Sequence, residues 1–199
     1  MDRTKILAIM GSPRINKNTN IALESILNEI KENNCVVTKY NLIDLNISHC
    51  TGCEYCGIKE GCTQKDDMDI IYNEFDNSDI IIFAAPLYFN SVNSLSKAVI
   101  DRCQKYWSLK YSLGEDYKRY DDRKGIFISV GGAPYTHDQF LGSIPVMDYF
   151  FRAVNADYIG NYFISNTDKV SVKDNKDVRE ELKDIGRNIL DIKEFHIHK

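Results

Sequence analysis

Short apolar runs alternate along the chain with longer segments whose apolar residues recur every three or four positions. That is the pattern of buried parallel strands joined by amphipathic helices. Lys5–Met10 (KILAIM), Cys35–Asn41 (CVVTKYN), Asp79–Ala85 (DIIIFAA), Gly125–Val130 (GIFISV) and Tyr158–Ile164 read as five strands. DIIIFAA, the most apolar, belongs near the centre of the sheet. Helices are expected over Ile21–Ile30, Asp67–Phe75, Val92–Tyr106, Asp138–Ala153 and Asn175–Phe195. The charged, tyrosine-rich stretch Trp107–Lys124 reads as a solvated connection, and the tail carrying His196 and His198 as a disordered end. The alternation predicts an α/β fold. With 199 residues and no Pro/Gly/Ser-rich linker, one domain is expected.

Open sheets of this class bind ligands outside the carboxyl ends of their strands, so the loops there carry the candidate chemistry. The first strand ends at Gly11, and GSPRINKNTN leads into a helix. That order puts amides and hydroxyls at a helix N-terminus, where an anion such as a phosphate is favoured, and Arg14 can add a charge-assisted contact. An ordinary capping turn is the simpler alternative. The central strand runs into PLYFNS, where Leu87, Tyr88 and Phe89 offer apolar faces to a flat ring and Asn90 and Ser91 offer polar contacts. Gly131 and Gly132 open a third loop, in which main chain can pass close to a planar ligand.

Four of the six cysteines fall within thirteen residues as C-x2-C-x2-C-x5-C: Cys50, Cys53, Cys56 and Cys62. Closely spaced thiolates can wrap one inorganic cluster, and Gly52, Gly57 and Gly61 supply freedom for positive φ between them. Structural zinc, disulfides and metal-free thiols remain the competing readings. Cys35 and Cys103, in apolar-patterned segments, are expected to be packing residues. His49 and His137 lie near the candidate loops and read as surface histidines.

A net charge of −4 with interspersed lysines and acids offers no basic face for nucleic acid or an anionic membrane. No apolar stretch reaches membrane-spanning length and no signal-like segment precedes the first strand, so a cytoplasmic location is expected.

With GSPRINKNTN, the cysteine run followed by KDDM, and APLYFNSVNSLSKAVIDR in series, the chain resembles the FMN-binding flavodoxin-like reductases, and within them the iron-sulfur flavoproteins. The resemblance implies a flavodoxin-like three-layer sandwich with a five-stranded parallel sheet in the order 2-1-3-4-5. It implies Ser12, Arg14, Asn18 and Thr19 around an FMN phosphate, and Pro86, Leu87, Tyr88, Phe89, Asn90 and Ser91 along the isoalloxazine. Gly131 and Gly132 fall in the third loop, and Cys50, Cys53, Cys56 and Cys62 hold a [4Fe-4S] cluster. A homodimer or homotetramer is implied, exchanging electrons with a ferredoxin-like donor or NAD(P)H and a small-molecule acceptor. A cluster handles single electrons and a flavin one or two, so the pair suits a converter in which no side chain need act as acid or base. Two alternatives are an NAD(P)H-dependent FMN or quinone reductase without a cluster, and a non-enzymatic flavin electron carrier or redox sensor.

Overall fold

A computed structural model describes residues 3–30, 35–115 and 123–199. The strands are β1 (Lys5–Met10), β2 (Val36–Asn41), β3 (Ile80–Tyr88), β4 (Ser91–Val92), β5 (Lys124–Val130), β6 (Asp157–Ile164) and β7 (Phe195–His198). Six of them pair in parallel in the order β2-β1-β3-β5-β6-β7, and β4 pairs antiparallel with the end of β3. The five strands read from the sequence keep their expected order within it. The sheet nevertheless has seven strands rather than five, gaining a hairpin at the end of β3 and a tail strand at one edge.

Alternation within the strands builds two cores. Leu7 and Ile9 of β1 and Ile81, Phe83 and Ala85 of β3 face one layer; Ile6, Ala8, Met10, Ile80, Ile82 and Ala84 face the other. The second layer is covered by α1 (Asn18–Ile30) and α6 (Lys176–Arg187), through Leu23, Ile26, Leu182 and Ile185 among others. The first lies under α2 (Met68–Asn77), α3 (Ser94–Arg102), α4 (Gln104–Tyr111) and α5 (Ser143–Ala153). There Phe150 meets Phe83 and Phe75 edge-to-face at centroid distances of 5.4 and 5.6 Å, the favoured aromatic geometry. Helices on both faces of a parallel sheet complete the three-layer sandwich.

Four expectations change. The helix read over Val92–Tyr106 is two, because Cys103 N–H bonds back only three residues to the Ile100 carbonyl at 3.0 Å and tightens the chain into a turn. The second piece reaches Tyr111, so the start of the supposed solvated connection is helical, with Trp107 packed on the first core; residues 116–122 lie outside the described residues. The last helix ends at Arg187, and the tail is β7. Its FHIH alternation sends Phe195 and Ile197 to the second core, while His198 meets Phe140 and Phe163 at 4.9 and 5.3 Å on the other side. The tail therefore packs on both faces, which sequence position alone did not indicate.

Candidate functional site

Because β1, β2, β3 and β5 are parallel, the segments that follow them all leave the same edge of the sheet. Gly11 N–H continues the ladder to the Ala84 carbonyl at 2.7 Å, and a Cβ on Gly11 would stand 2.1 Å from Ser96 Oγ. Glycine is needed there for close approach. Beyond it Ser12 is buried, its Oγ accepting from Arg14 N–H at 3.1 Å, while Arg14 itself is exposed. Thr19 is buried in the first turn of α1. Asn18 also braces the segment before α6, its Oδ1 accepting from Val172 N–H at 3.0 Å.

The second loop is shorter than the sequence suggested, because Pro86, Leu87 and Tyr88 lie within β3. Ala84 points its carbonyl toward β1, so Pro86, two residues on, faces that side beyond the end of β1, where no ladder partner awaits an N–H. Phe89 and Asn90 form the two-residue turn, both left-handed at φ 50° and 57°, and Tyr88 pairs with Ser91. For phenylalanine that backbone is strained. Its ring stands fully exposed.

The third loop is fastened to the segment after β6. The Gly131 carbonyl accepts from Thr167 N–H and Oγ at 3.2 and 3.0 Å, and the Asp168 carboxylate lies 2.6 Å from where a Cβ on Gly132 would stand. Asn93 joins the first two loops: its Nδ2 donates to the Gly11 carbonyl at 2.7 Å and its Oδ1 accepts from Ser96 Oγ at 2.7 Å. Asn93, Ser96, Thr167 and Asp168 were missed by the sequence reading. The first two sit inside the APLYFNSVNSLSKAVIDR stretch, which was the available signal.

The cysteine segment follows β2. Its base is pinched where Asp66 accepts from Ser48 N–H at 2.9 Å and Asp67 from Asn46 N–H at 2.7 Å. Between these anchors Gly52, Glu54 and Gly61 have φ of 64°, 60° and 107°, whereas Gly57 lies in a single 3-10 turn, Tyr55–Gly57. Cys50, Cys53, Cys56 and Cys62 line one cavity of about 400 Å³ together with Arg102, Lys105 and Ser108. Among the described residues no three His, Cys, Asp or Glu side chains converge on a point that would hold a single metal ion. The four cysteines share the lining of this one open cavity, and four thiols are a donor set that an iron-sulfur cluster takes.

Thr63 Oγ lies 3.5 Å from Cys53 Sγ and holds that thiol below its ordinary pKa, while Cys56 Sγ is 3.6 Å from Ser108 Oγ. Arg102, its side chain wholly buried, grips Asp66 through two bonds of 2.7 and 3.2 Å and donates to the Ser48 carbonyl at 3.0 Å. Neither Arg102 nor Asp66 was singled out from the sequence, although both fall in motifs that carried the resemblance. Cys103 is buried in the first core, where burial pushes its thiol up; Cys35 is only half-buried, against the second. His49 and His137 are exposed. α3 runs back from Asn93 beside the first loop to Arg102 at the cysteine cavity. Its nine residues at ~1.5 Å each separate the two regions by roughly 13 Å.

A family model described as NADPH-dependent FMN reductase matches residues 4–154. An iron-sulfur flavoprotein of Methanocaldococcus jannaschii is 34% identical over 129 residues, 64% of this chain and 62% of the relative. Another, of Archaeoglobus fulgidus, is 36% identical over 102 residues, 51% of this chain and 46% of the relative. The chain thus spans less than two thirds of the length of these curated relatives. An azoreductase from Bacillus anthracis superposes with a TM-score of 0.72 at 17% identity, covering 93% of this chain and 99% of the other.

Proposed function

From the premise that the chain belongs to the NADPH-dependent FMN reductase family, we propose a cytoplasmic FMN- and [4Fe-4S]-dependent oxidoreductase, a single domain acting as a homodimer or homotetramer. It takes electrons from a ferredoxin-like donor and passes them to a small acceptor. The observation that carries this reading is the cavity onto which all four clustered cysteines open. When bound, the cluster supplies one-electron transfer and the flavin two-electron transfer.

The chain's own residues then have binding and shielding roles. Cys50, Cys53, Cys56 and Cys62 hold the cluster. Ser12, Arg14, Thr19 and the first-turn amides of α1 hold the phosphate, with the helix dipole favouring its charge. Asn18 joins them through its Nδ2, while its Oδ1 accepts from Val172 N–H. Pro86, Leu87, Tyr88, Phe89, Asn90 and Ser91 flank the ring, and Gly131 and Gly132 let main chain approach it.

Anaerobic reconstitution with iron, sulfide and FMN, followed by assay of all three, tests the reading. About four iron and four sulfide per chain beside one FMN is expected from a cubane on four thiolates; FMN without iron overturns the cluster. The family description favours a second reading, an NADPH-dependent FMN or quinone reductase with vacant cysteines. Rapid bleaching of the flavin by NADPH in cluster-free protein would select it.

A further inference from the structure

Cys56 lies in the 3-10 turn Tyr55–Gly57, which packs against α4. There its thiol donates to Ser108 Oγ across 3.6 Å. The same oxygen accepts from Gln104 Nε2, one helical turn earlier, at 3.3 Å. Both lone pairs of the hydroxyl are thus filled, while its own hydrogen has no acceptor among the described residues. Ser108 is only 4% exposed and lines the cysteine cavity, and a buried donor without an acceptor is costly. Iron binding resolves the mismatch. A ligating cysteine is a thiolate, so the hydrogen that Cys56 lends to Ser108 is gone and the sulfur becomes an acceptor. The hydroxyl hydrogen need only rotate about the C–O bond to fill the same contact from the other side.

We propose that Ser108 is a positioning residue for the metal centre: its O–H, oriented by Gln104, donates to Cys56 Sγ once that sulfur ligates iron, and so favours the reduced state of the cluster. The proposal rests on the cluster reading above. The bond is made to the ligand's own sulfur, so the contact it needs is already formed in the fold. Reduction adds negative charge to a centre already negative from four thiolates, and hydrogen bonds to sulfur are a lever by which proteins set such potentials. Thr63 lies 3.5 Å from Cys53 in a similar relation, but Cys53 is exposed and water competes for the same bond. Ser108 reaches its thiol from 52 positions away, on a buried helix face.

The test is redox titration of the reconstituted protein, followed by the electron paramagnetic resonance of the reduced cluster, with iron, sulfide and FMN assayed in each sample. Ser108→Ala removes the donor, whereas Ser108→Thr keeps a hydroxyl. At the wild-type midpoint Ser108→Ala is expected to lower the reduced-to-oxidised ratio about fivefold, a shift of about 41 mV at about 59 mV per decade for one electron. Ser108→Thr should stay near the wild-type value. A wild-type midpoint in iron-replete Ser108→Ala overturns the proposal, as does a Ser108→Thr midpoint displaced as far as that of Ser108→Ala. Should Ser108→Ala fail to retain iron, Ser108→Thr decides: iron held at the wild-type midpoint upholds the hydroxyl, and iron lost there too reduces the position to packing and overturns it. Wild-type protein that takes up FMN but no iron overturns the cluster reading instead.

Discussion

Asn93 donates its side-chain N–H to the carbonyl of Gly11 across 2.7 Å of buried space, fastening the end of the first strand to the start of the helix that follows the third. This single amide sets the relative position of two of the three loops proposed to hold the flavin.

Asn93→Ala should leave the Gly11 carbonyl and Ser96 hydroxyl without their partner. Stranding buried polar groups costs about 1–3 kcal/mol each. FMN affinity should fall about tenfold or more, read by quenching of flavin fluorescence on titration, together with a lower melting temperature. Unchanged affinity would remove Asn93 from the site.

Gly11→Ala places a methyl group 2.1 Å from Ser96 Oγ but 3.4 Å from Ser96 Cβ. Overpacking of this kind costs about 1–3 kcal/mol. Adding Ser96→Ala removes the clashing oxygen, so the double variant should recover part of the loss in a denaturant titration. Strict additivity of the two single changes would show that the contact is not the cause.

Removing Arg102 or Asp66 singly leaves a buried charge, a loss of about 3–5 kcal/mol. Burial works to raise the Asp66 carboxyl, but Arg102 and the amides of Ser48 and Met68 outweigh it and hold it below the usual carboxylate range. The stabilisation is therefore complete above the unfolded-state value of about 3.9 and lost as pH falls through the lower folded value. Melting temperatures should be insensitive to this group between about pH 5 and 8 and should drop below about pH 4. That acid limb should disappear in the neutral pair Arg102→Gln with Asp66→Asn.

Replacing any one of Cys50, Cys53, Cys56 or Cys62 by alanine should abolish iron and sulfide binding while sparing FMN. Cys35→Ser and Cys103→Ala should retain full iron content, because neither residue lines the cavity. Iron loss in either of those would refute the assignment of four ligands.

Phe89 contributes no burial to the fold, so Phe89→Ala should change stability by no more than about 0.5 kcal/mol. Its strained, exposed ring is expected to act on the flavin or the acceptor. A several-fold change in flavin affinity or turnover is the outcome to look for; an unchanged enzyme would leave the strain without a purpose.

The strands could be read from the sequence because burial on both faces leaves an unmistakable run such as KILAIM or DIIIFAA. The cysteine cavity could be read because thiol spacing is local. What escaped depends on contacts distant in the chain. Arg102 looks like any basic residue at a helix end until Asp66, 36 positions away, is seen beneath it. Asn93 looks like a helix cap, yet it makes no capping bond and reaches Gly11, 82 positions away. Asn18 was read as a phosphate ligand because the loop chemistry fits; that its Oδ1 also braces Val172, 154 positions away, was not legible. The tail was misjudged because terminal position was weighed above the alternation in FHIH.

The parallel run of β7 has a practical side. Ser165 N–H and Oγ both bond to the Lys199 carbonyl at 2.7 Å, so any extension past Lys199, natural or engineered, emerges beside the loops proposed to hold the flavin. A purification tag fused there risks obstructing cofactor loading. One fused ahead of β1 would project from the opposite rim of the sheet and leave that entrance clear.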